Sequence, residues 1–426
     1  MMTTEKMKEL FASGANDELL MDIYLDESKL EYQRNRYVAA ISKYEELYGV
    51  DEVSIYSAPG RSEICGNQVD HQNGEVIAAS VNLDTLAIVK AIEEPVVKVV
   101  SGDYPMITVS LNDLEKKDKE TGTTLALIKG VLKGIENYGG KLGGFQAYMT
   151  SDVLIGAGLS SSAAFEVMIG TIVSGLYNDM KISPVDIAII GQYAENVYFG
   201  KPCGLMDQMA CSVGNLVHIN FADKENPVIE AISCDLAEYG YSLCITDTKG
   251  SHADLTGDYA AVPEEMRKVA AIFGKEILYG ITLEDLIEKA SEIREKVGDR
   301  PLLRAIHFVN ENARVRKTAE ALKVKDFDTF LQGVKESGNS SFKFVQNVYT
   351  NRNVQEQNMS VALAFSESIL ENNGVCRVHG GGFAGTIQAF VKNEAVADYK
   401  SVMDKVFGKD ACTVLKIRKY GGMKVL

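Results

Sequence analysis

The sequence lacks the features that mark membrane-spanning, secreted and nucleic-acid-binding chains. No window of its 426 residues approaches 18 consecutive apolar residues, so we expect no transmembrane helix and no membrane partner. Residues 1–20 are charged and contain no apolar core segment, so we expect no signal peptide. No basic block interrupts a net charge of −15, and a field of that sign repels nucleic acid.

Signs of a disulfide framework or a zinc site are also missing. The seven cysteines are scattered, odd in number and never arranged as Cys-X-X-Cys. We therefore expect reduced thiols and a cytoplasmic location. Hydrophobic residues make up 46% and charged residues 24% of the chain, which is typical of a folded globular protein.

The length of the chain predicts more than one domain, because 426 residues exceed the usual size of a single core. Internal repeats and low-complexity tracts are absent from the sequence. Polarity rises around residues 221–230 and a proline appears there. We therefore predict an N-terminal domain at 1–225 and a C-terminal domain at 226–426, in a monomeric protein.

Hydrophobic periodicity predicts a mixture of helices and strands. The predicted helices cover 27–48, 123–137, 184–200, 263–298, 302–323 and 354–373, and the predicted strands cover 53–60, 76–92, 241–250, 385–393 and 413–426. Residues 143–177 are predicted to form a strand, a glycine-rich loop and a helix. This pattern favours an α+β fold with antiparallel pairing over a doubly wound parallel sheet.

A segment rich in glycine and serine opens the helix of that last unit. In "GAGLSSSAAFEV", residues 156–167, two glycines and three serines precede the helical run. A helix N-terminus offers unpaired N–H groups, and glycine lets the backbone approach phosphate oxygens closely. One serine suffices for an ordinary helix cap, so the excess favours a phosphate-binding loop. It is not a Walker A loop, because no Gly-Lys-[Ser/Thr] ending is present.

Two further segments carry candidate functional groups. In "ENVYFGKPCGLMDQMACSVG", Asp207 stands among apolar residues, where its carboxylate can orient or deprotonate a hydroxyl group. Glu195 lies twelve positions upstream and can bind a divalent cation. A capping aspartate and a solvated glutamate are the alternative explanation for these two residues taken alone. In "RVHGGGFAGTIQAF", residues 377–390, a glycine turn can close over phosphates.

The segment "GRSEICGNQVDHQNG", residues 60–74, is rich in hydrogen-bonding side chains that a hydrophobic core does not need. Together with "GAGLSSSAA", "CGLMDQ" and "GGGFAG", in this order, it resembles the motif series of the GHMP small-molecule kinases. Within that superfamily the chain most resembles the galactokinases, over residues 45–426. The resemblance implies a two-domain α+β fold with the active site in the cleft between the domains.

The resemblance also implies a reaction, in which ATP phosphorylates the anomeric hydroxyl of a sugar, with galactose as the working substrate. Asp207 is then the carboxylate that faces this hydroxyl. Arg61 lies beside it, lowers its pKa and stabilises the transferred phosphoryl group. The implied Mg²⁺ ligands are Ser162 and Glu195. The implied phosphate-binding residues are Gly156, Ala157, Gly158, Leu159, Ser160, Ser161 and Ser162, and the implied sugar-binding residues are Asn67, Gln68, Asp70, Gly204 and Tyr259.

Residues 60–74 depart from the galactokinase pattern Gly-Arg-Val-Asn-Leu-Ile-Gly-Glu-His-Thr-Asp-Tyr-Asn. Asn67 and Gln68 stand where the pattern has Glu-His, and Glu63 stands where it has asparagine. In galactokinases the Glu-His pair contacts the outer hydroxyls of the sugar. A site built for particular hydroxyls rejects partners that leave its polar groups unpaired. The departure therefore puts galactose in doubt and leaves a related hexose open.

Two further alternatives concern the class of function. A catalytically silent relative can bind sugar and ATP as a sensor, and other GHMP kinases phosphorylate mevalonate or homoserine. The complete serine loop, with Arg61, Glu195 and Asp207 all present, favours an enzyme over a sensor. The galactokinase-type opening segment and "CGLMDQ" argue against the other kinases.

Overall fold

The computed structural model describes residues 2–153, 158–223, 226–250 and 255–426. Its strands are β1 (Met2–Thr3), β2 (Glu52–Cys65), β3 (Glu75–Ile92), β4 (Val96–Ser101), β5 (Ile107–Ser110), β6 (Gly144–Ser151), β7 (Leu216–Asn220), β8 (Val228–Ile232), β9 (Tyr241–Asp247), β10 (Gly374–Val378), β11 (Thr386–Lys392), β12 (Cys412–Leu415) and β13 (Met423–Lys424). Its helices are α1 (Thr4–Ala12), α2 (Asp17–Tyr24), α3 (Leu30–Tyr48), α4 (Thr124–Tyr138), α5 (Ser161–Tyr177), α6 (Pro184–Tyr193), α7 (Met206–Val213), α8 (Thr256–Ile272), α9 (Leu283–Glu288), α10 (Ala290–Val297), α11 (Asp299–Lys323), α12 (Phe327–Ser340), α13 (Asn358–Leu370) and α14 (Val396–Phe407).

The strands of the described residues form two sheets. The larger has nine strands, with a central order β1-β2-β3-β6-β4-β5, and β13, β7 and β8 attached to it. The smaller has the order β10-β11-β9-β12. Among these pairs only β4 and β6 run parallel, so the predicted α+β class with antiparallel pairing is confirmed.

The chain crosses between the two sheets more than once. Strand β8 lies beyond the predicted domain boundary at residue 225, yet it pairs with β7 of the larger sheet. Strand β13, near the end of the chain, pairs with β2. The division into domains at 1–225 and 226–426 stays a prediction.

The larger sheet is covered on both faces. Almost every residue of β2 and β3 is buried, which is why these strands show no polar–apolar alternation in the sequence. One face packs against α4 and α5 through residues that include Ile128, Val131, Ile169 and Val173. The other face packs against α1 and α3 through residues that include Phe11, Tyr37, Ile41 and Tyr44. In the described part of the chain, no helix has both the length and the apolar character needed to cross a membrane.

Two sequence predictions are wrong in detail. The single helix predicted at 263–298 is divided into α8, α9 and α10. Gly274 follows α8 with φ +70°, a left-handed conformation that ends a helix, and Thr282 starts α9 with a capping box. The strand predicted at 53–60 is too short, because β2 continues through Pro59 and Gly60 to Cys65. The ladder to β3 shifts register between Pro59 and Arg61, so Pro59 lies at an irregularity.

Candidate active site

Arg61 and Asp207 form an ion pair between the irregular part of β2 and the first turn of α7. Nε and Nη2 of Arg61 both lie 2.7 Å from Oδ1 of Asp207. The second carboxylate oxygen, Oδ2, accepts a hydrogen bond from the Ser160 hydroxyl. The Arg61 side chain is buried, whereas the Asp207 side chain is 33% exposed. A ligand can therefore reach the carboxylate while the guanidinium stays fixed behind it.

This environment keeps Asp207 ionised. Burial opposes ionisation, but the charge and hydrogen bonds of Arg61 and the Ser160 hydroxyl outweigh it and hold the pKa of Asp207 below its ordinary value. Arg61 also donates to the carbonyl oxygen of Gly158. One guanidinium thus connects the candidate catalytic carboxylate to the glycine- and serine-rich loop.

The described part of that loop, residues 158–162, leads into α5. Ser160 has φ +56°, and α5 begins at Ser161 without a hydrogen bond from a capping side chain. The Leu159 side chain is buried in the core, so only its backbone is available to a ligand. At Gly158, an added Cβ would lie 2.9 Å from Thr386 Oγ1 and 3.0 Å from His379 Nδ1. Gly156 and Ala157, also predicted to bind phosphate, lie outside the described residues.

Ser162 and Glu195 come together, as the predicted metal site requires. Ser162 Oγ donates to Glu195 Oε1 at 3.4 Å, and Lys201 Nζ lies 3.0 Å from the same oxygen. Glu195 belongs to the π-helical turn Ala194–Phe199, which follows α6 directly. Such turns often occur at functional sites.

The sequence did not lead us to predict the residues that hold the Glu195 side chain in place. Gln208 Nε2 donates to Glu195 Oε2 at 2.8 Å and to Glu166 Oε2 at 3.0 Å. Burial and the nearby charge of Glu195 raise the pKa of Glu166 to about 9. Glu166 could have been predicted from its spacing, because it lies four positions after Ser162 and therefore on the same helix face. Nothing in the local sequence pointed to Gln208.

Asp70, Gly204 and Tyr259 lie near this centre. A Cβ added at Gly204 would overlap the Asp70 carboxylate, so the glycine allows the carboxylate to lie directly against the backbone. The Tyr259 hydroxyl donates to the carbonyl oxygen of Gly382 at 2.8 Å. Burial, with a smaller effect from the charge of Asp258, raises the pKa of Tyr259 to about 12, which keeps the phenol protonated.

Asn67 and Gln68 lie differently from what a direct sugar contact would suggest. Asn67 is fully buried, and its Nδ2 donates to Glu63 Oε1 at 3.0 Å and to the Gly380 carbonyl at 2.7 Å. Gln68 Nε2 donates to the Gly381 carbonyl at 3.1 Å. Both amides therefore face the glycine turn that follows β10.

That glycine turn closes one side of a small cavity beside the ion pair. The cavity has a volume of about 110 Å³. It is lined by Arg61, Gly158, Tyr259, Gly380, Gly381 and Gly382, among others. Groups that the sequence placed in separate motifs thus surround one cleft next to the N-terminus of α5.

Comparison with known proteins agrees with this geometry. Residues 126–215 match the family model described as the GHMP kinases N terminal domain, and residues 42–91 match the one described as the galactokinase galactose-binding signature. The crystal structure of Lactococcus lactis galactokinase complexed with galactose superposes with a TM-score of 0.75 at 21% identity, covering 90% of this chain and 98% of that one. The mevalonate kinase of Methanococcus jannaschii superposes with a TM-score of 0.59 at 17% identity, covering 86% and 98%.

The fold and the site therefore define a small-molecule kinase of the GHMP type. Among curated relatives, the galactokinase of Actinobacillus pleuropneumoniae serotype 3 (strain JL03) is 30% identical over 369 residues, which cover 85% of this chain and 92% of that enzyme. The galactokinase of Streptomyces coelicolor (strain ATCC BAA-471 / A3(2) / M145) is 28% identical over 367 residues, covering 86% and 91%. The chain belongs to the galactokinase family.

Proposed function

We propose that the protein is an ATP-dependent sugar 1-kinase that converts galactose to galactose 1-phosphate. The observation that carries this proposal is the junction of Arg61, Asp207 and Ser160 at the N-terminus of α5. It combines an ionised carboxylate that a hydroxyl can approach with a loop suited to phosphates. The match of residues 42–91 to the galactose-binding signature supports galactose as the sugar.

In the proposed reaction the anomeric oxygen of the sugar bonds to the γ-phosphorus of ATP as the bond to the ADP oxygen breaks, and the hydroxyl proton leaves by way of the Asp207 carboxylate to solvent. Asp207 Oδ2, which accepts a hydrogen bond from Ser160, is the oxygen available to the sugar hydroxyl. Arg61 holds the other oxygen and provides positive charge beside the transferred group. Phosphoryl transfer depends chiefly on positioning and electrostatic stabilisation, and these residues supply both.

Mg²⁺ fits the oxygen atoms that Ser162 and Glu195 offer. Magnesium is usually held by one or two protein ligands together with substrate phosphates, and one hydroxyl with one carboxylate meets this requirement. Within the described ranges no group of three or more His, Cys, Asp or Glu side chains forms an alternative metal site. Bound there, the ion would neutralise phosphate charge.

Removing either candidate ligand should weaken metal binding. We expect Ser162→Ala and Glu195→Gln each to raise the metal concentration for half-maximal activity by about tenfold, the effect of roughly 1.4 kcal/mol. Binding of Mn²⁺ to the ATP complex, followed by electron paramagnetic resonance, should weaken in parallel. Ser368→Ala, at an exposed position of α13 outside the candidate active site, is the matched control for metal dependence. Unchanged Mn²⁺ binding in both variants would show that other residues bind the metal.

The proposed sugar site includes Asp70, Gly204 and Tyr259. Asp70 lies against the Gly204 backbone, and its carboxylate is suited to accept hydrogen bonds from sugar hydroxyls. For Asn67 the buried contacts favour a supporting position over the direct sugar contact that the family pattern implies. A kinase for a related hexose is the second candidate, favoured by the altered pair Asn67-Gln68.

A panel of monosaccharides with ATP separates these candidates. We expect galactose to give the highest kcat/KM, measured by ADP release, and the product to carry phosphate at C1 by NMR. A different sugar that exceeds galactose by tenfold or more would establish the second candidate. A chain that binds sugar and ATP without releasing ADP would be a sensor.

Three further properties belong to the proposal. We propose a cytoplasmic location, which the seven free cysteines support. The monomeric state and the absence of nucleic-acid and membrane partners stay predictions from the sequence.

A further inference from the structure

The glycine turn at residues 380–382 is held by four side chains, which donate hydrogen bonds to its three carbonyl oxygens. Asn67 Nδ2 donates to Gly380 at 2.7 Å, Gln68 Nε2 to Gly381 at 3.1 Å and the Tyr259 hydroxyl to Gly382 at 2.8 Å. Asn347 Nδ2 also donates to Gly381 at 3.1 Å. These donors come from the segment that carries Asn67 and Gln68, from Asn347 and, through Tyr259, from α8.

The backbone N–H groups of this turn differ from its carbonyl oxygens in their hydrogen bonding. Within the part of the chain that the structure describes, the N–H groups of Gly380 and Gly381 donate no hydrogen bond to another backbone group. The turn is also sterically fixed, because an added Cβ at Gly382 would overlap the Asn347 carbonyl. The turn lines the same cavity as Arg61 and Gly158, so its N–H donors lie close to the loop suited to phosphates.

Asn67 has no hydrogen-bonding capacity left for a sugar. Its Nδ2 is used by Glu63 and Gly380, and its Oδ1 accepts from Ser341 Oγ at 3.1 Å and Asn347 Nδ2 at 2.8 Å. A carboxamide has two donor hydrogens and two acceptor lone pairs, so four partners saturate it. The side chain is also fully buried.

We propose that Asn67 and Gln68 are positioning residues, which together with Tyr259 fix the turn at residues 380–382 for ATP phosphates and do not read the sugar. This deepens the proposed kinase function and rests on it. An ionised glutamate at position 67 would not reproduce the amide donor of Asn67, and a neutral histidine at position 68 would offer one ring N–H in place of the amide N–H groups of Gln68. The departure from the family pattern therefore changes how the turn is supported and leaves the choice of sugar to other residues.

The neighbouring departure, Glu63, supports this interpretation. The galactokinase pattern has an amide at position 63 and an acid at position 67, and this chain has the reverse. The two side chains contact each other at 3.0 Å, and Glu63 also pairs with Arg377 Nη2 at 2.7 Å. Relative to the family pattern the acid and the amide have exchanged positions, and in this chain they contact each other inside the protein.

Gln68→Met tests the proposal, because it removes the donor at a half-buried position where folding is not at risk. We expect the KM for ATP to rise by roughly two- to tenfold, the loss of one hydrogen bond. The ratio of kcat/KM for galactose to that for 6-deoxygalactose, which lacks an outer hydroxyl, should stay within about twofold. Asn67→Ser should behave in the same way with a larger rise in KM. Gln332→Met, on the exposed surface of α12, is the matched control and should change neither quantity.

The proposal is overturned if Gln68→Met changes the sugar ratio by tenfold, or if it leaves the KM for ATP at the wild-type value. Failure of the kinase function itself is recognisable separately, because the wild-type protein would then phosphorylate neither sugar. In that case the dissociation constant of a fluorescent ATP analogue, measured without sugar, reports on the turn. We expect Gln68→Met to raise it, and an unchanged value overturns the proposal.

Discussion

Asp207→Asn should retain the fold and lower kcat by about 10²–10⁴-fold, the range typical of a lost acid–base or orienting group. The amide keeps the shape of the side chain but loses the negative charge that accepts the sugar hydroxyl. It also removes the charge that Arg61 complements through two contacts of 2.7 Å. Arg61 retains its hydrogen bond to the Gly158 carbonyl, and water reaches position 207, so we expect the protein to stay folded.

The measurement is kcat with saturating galactose and ATP, together with thermal unfolding and the dissociation constants of both substrates. Asp410→Asn is the matched control, since the Asp410 side chain is 75% exposed and lies outside the candidate active site. It should keep wild-type activity. If Asp207→Asn is folded and its kcat is within about twofold of the wild-type value, Asp207 is not a catalytic residue.

Local patterns predicted most of the elements that carry the site. The helix that starts at Ser161 and the strand β3 are clear in the sequence, because long periodic or β-branched runs have few alternative structures. The helix predicted at 263–298 was wrong because left-handed glycines interrupt a run of good helix formers. The continuation of β2 through Pro59 depends on its pairing with β3, which the segment alone does not encode.

The motifs of the candidate site could be predicted from the sequence, but the side-chain contacts between them could not. Asp207 and Glu195 stand out in a segment with a recognisable composition, and the roles of Arg61 and Ser162 follow from the resemblance to the galactokinases. Asn67 was assigned to the sugar because it occupies the position of a sugar-binding glutamate in the galactokinase pattern. Its partners lie far along the chain: Gly380 is 313 positions away and Asn347 is 280. Contacts at such separations follow from the packing of β2, α12 and β10 and have no local signal.

The second large effect that we expect is a loss of stability when the buried contact between Glu63 and Asn67 is disrupted. Asn67→Glu restores the galactokinase residue at position 67 but places a second carboxylate against Glu63, where Nδ2 now lies 3.0 Å from Oε1. Burial already raises the pKa of Glu63, and the Arg377 guanidinium and the Asn67 amide oppose that rise. Removing the amide donor and adding a like charge in a buried site should lower the free energy of unfolding by about 3–5 kcal/mol.

Exchanging both residues should recover part of this loss. Glu63→Asn alone leaves the buried Arg377 without its carboxylate, so it should also destabilise the protein. In Glu63→Asn/Asn67→Glu the pair again consists of one acid and one amide, placed in the order of the galactokinase pattern. We expect the double variant to be more stable than the sum of the single changes predicts, with a coupling free energy of about 1–3 kcal/mol.

Urea unfolding of the wild-type protein, the two single variants and the double variant measures this coupling free energy. Asn372→Glu, at an exposed position, controls for the added charge and should cost less than about 0.5 kcal/mol. Strict additivity would mean that the two residues do not act as a pair, and the exchange of acid and amide would then be two unrelated substitutions.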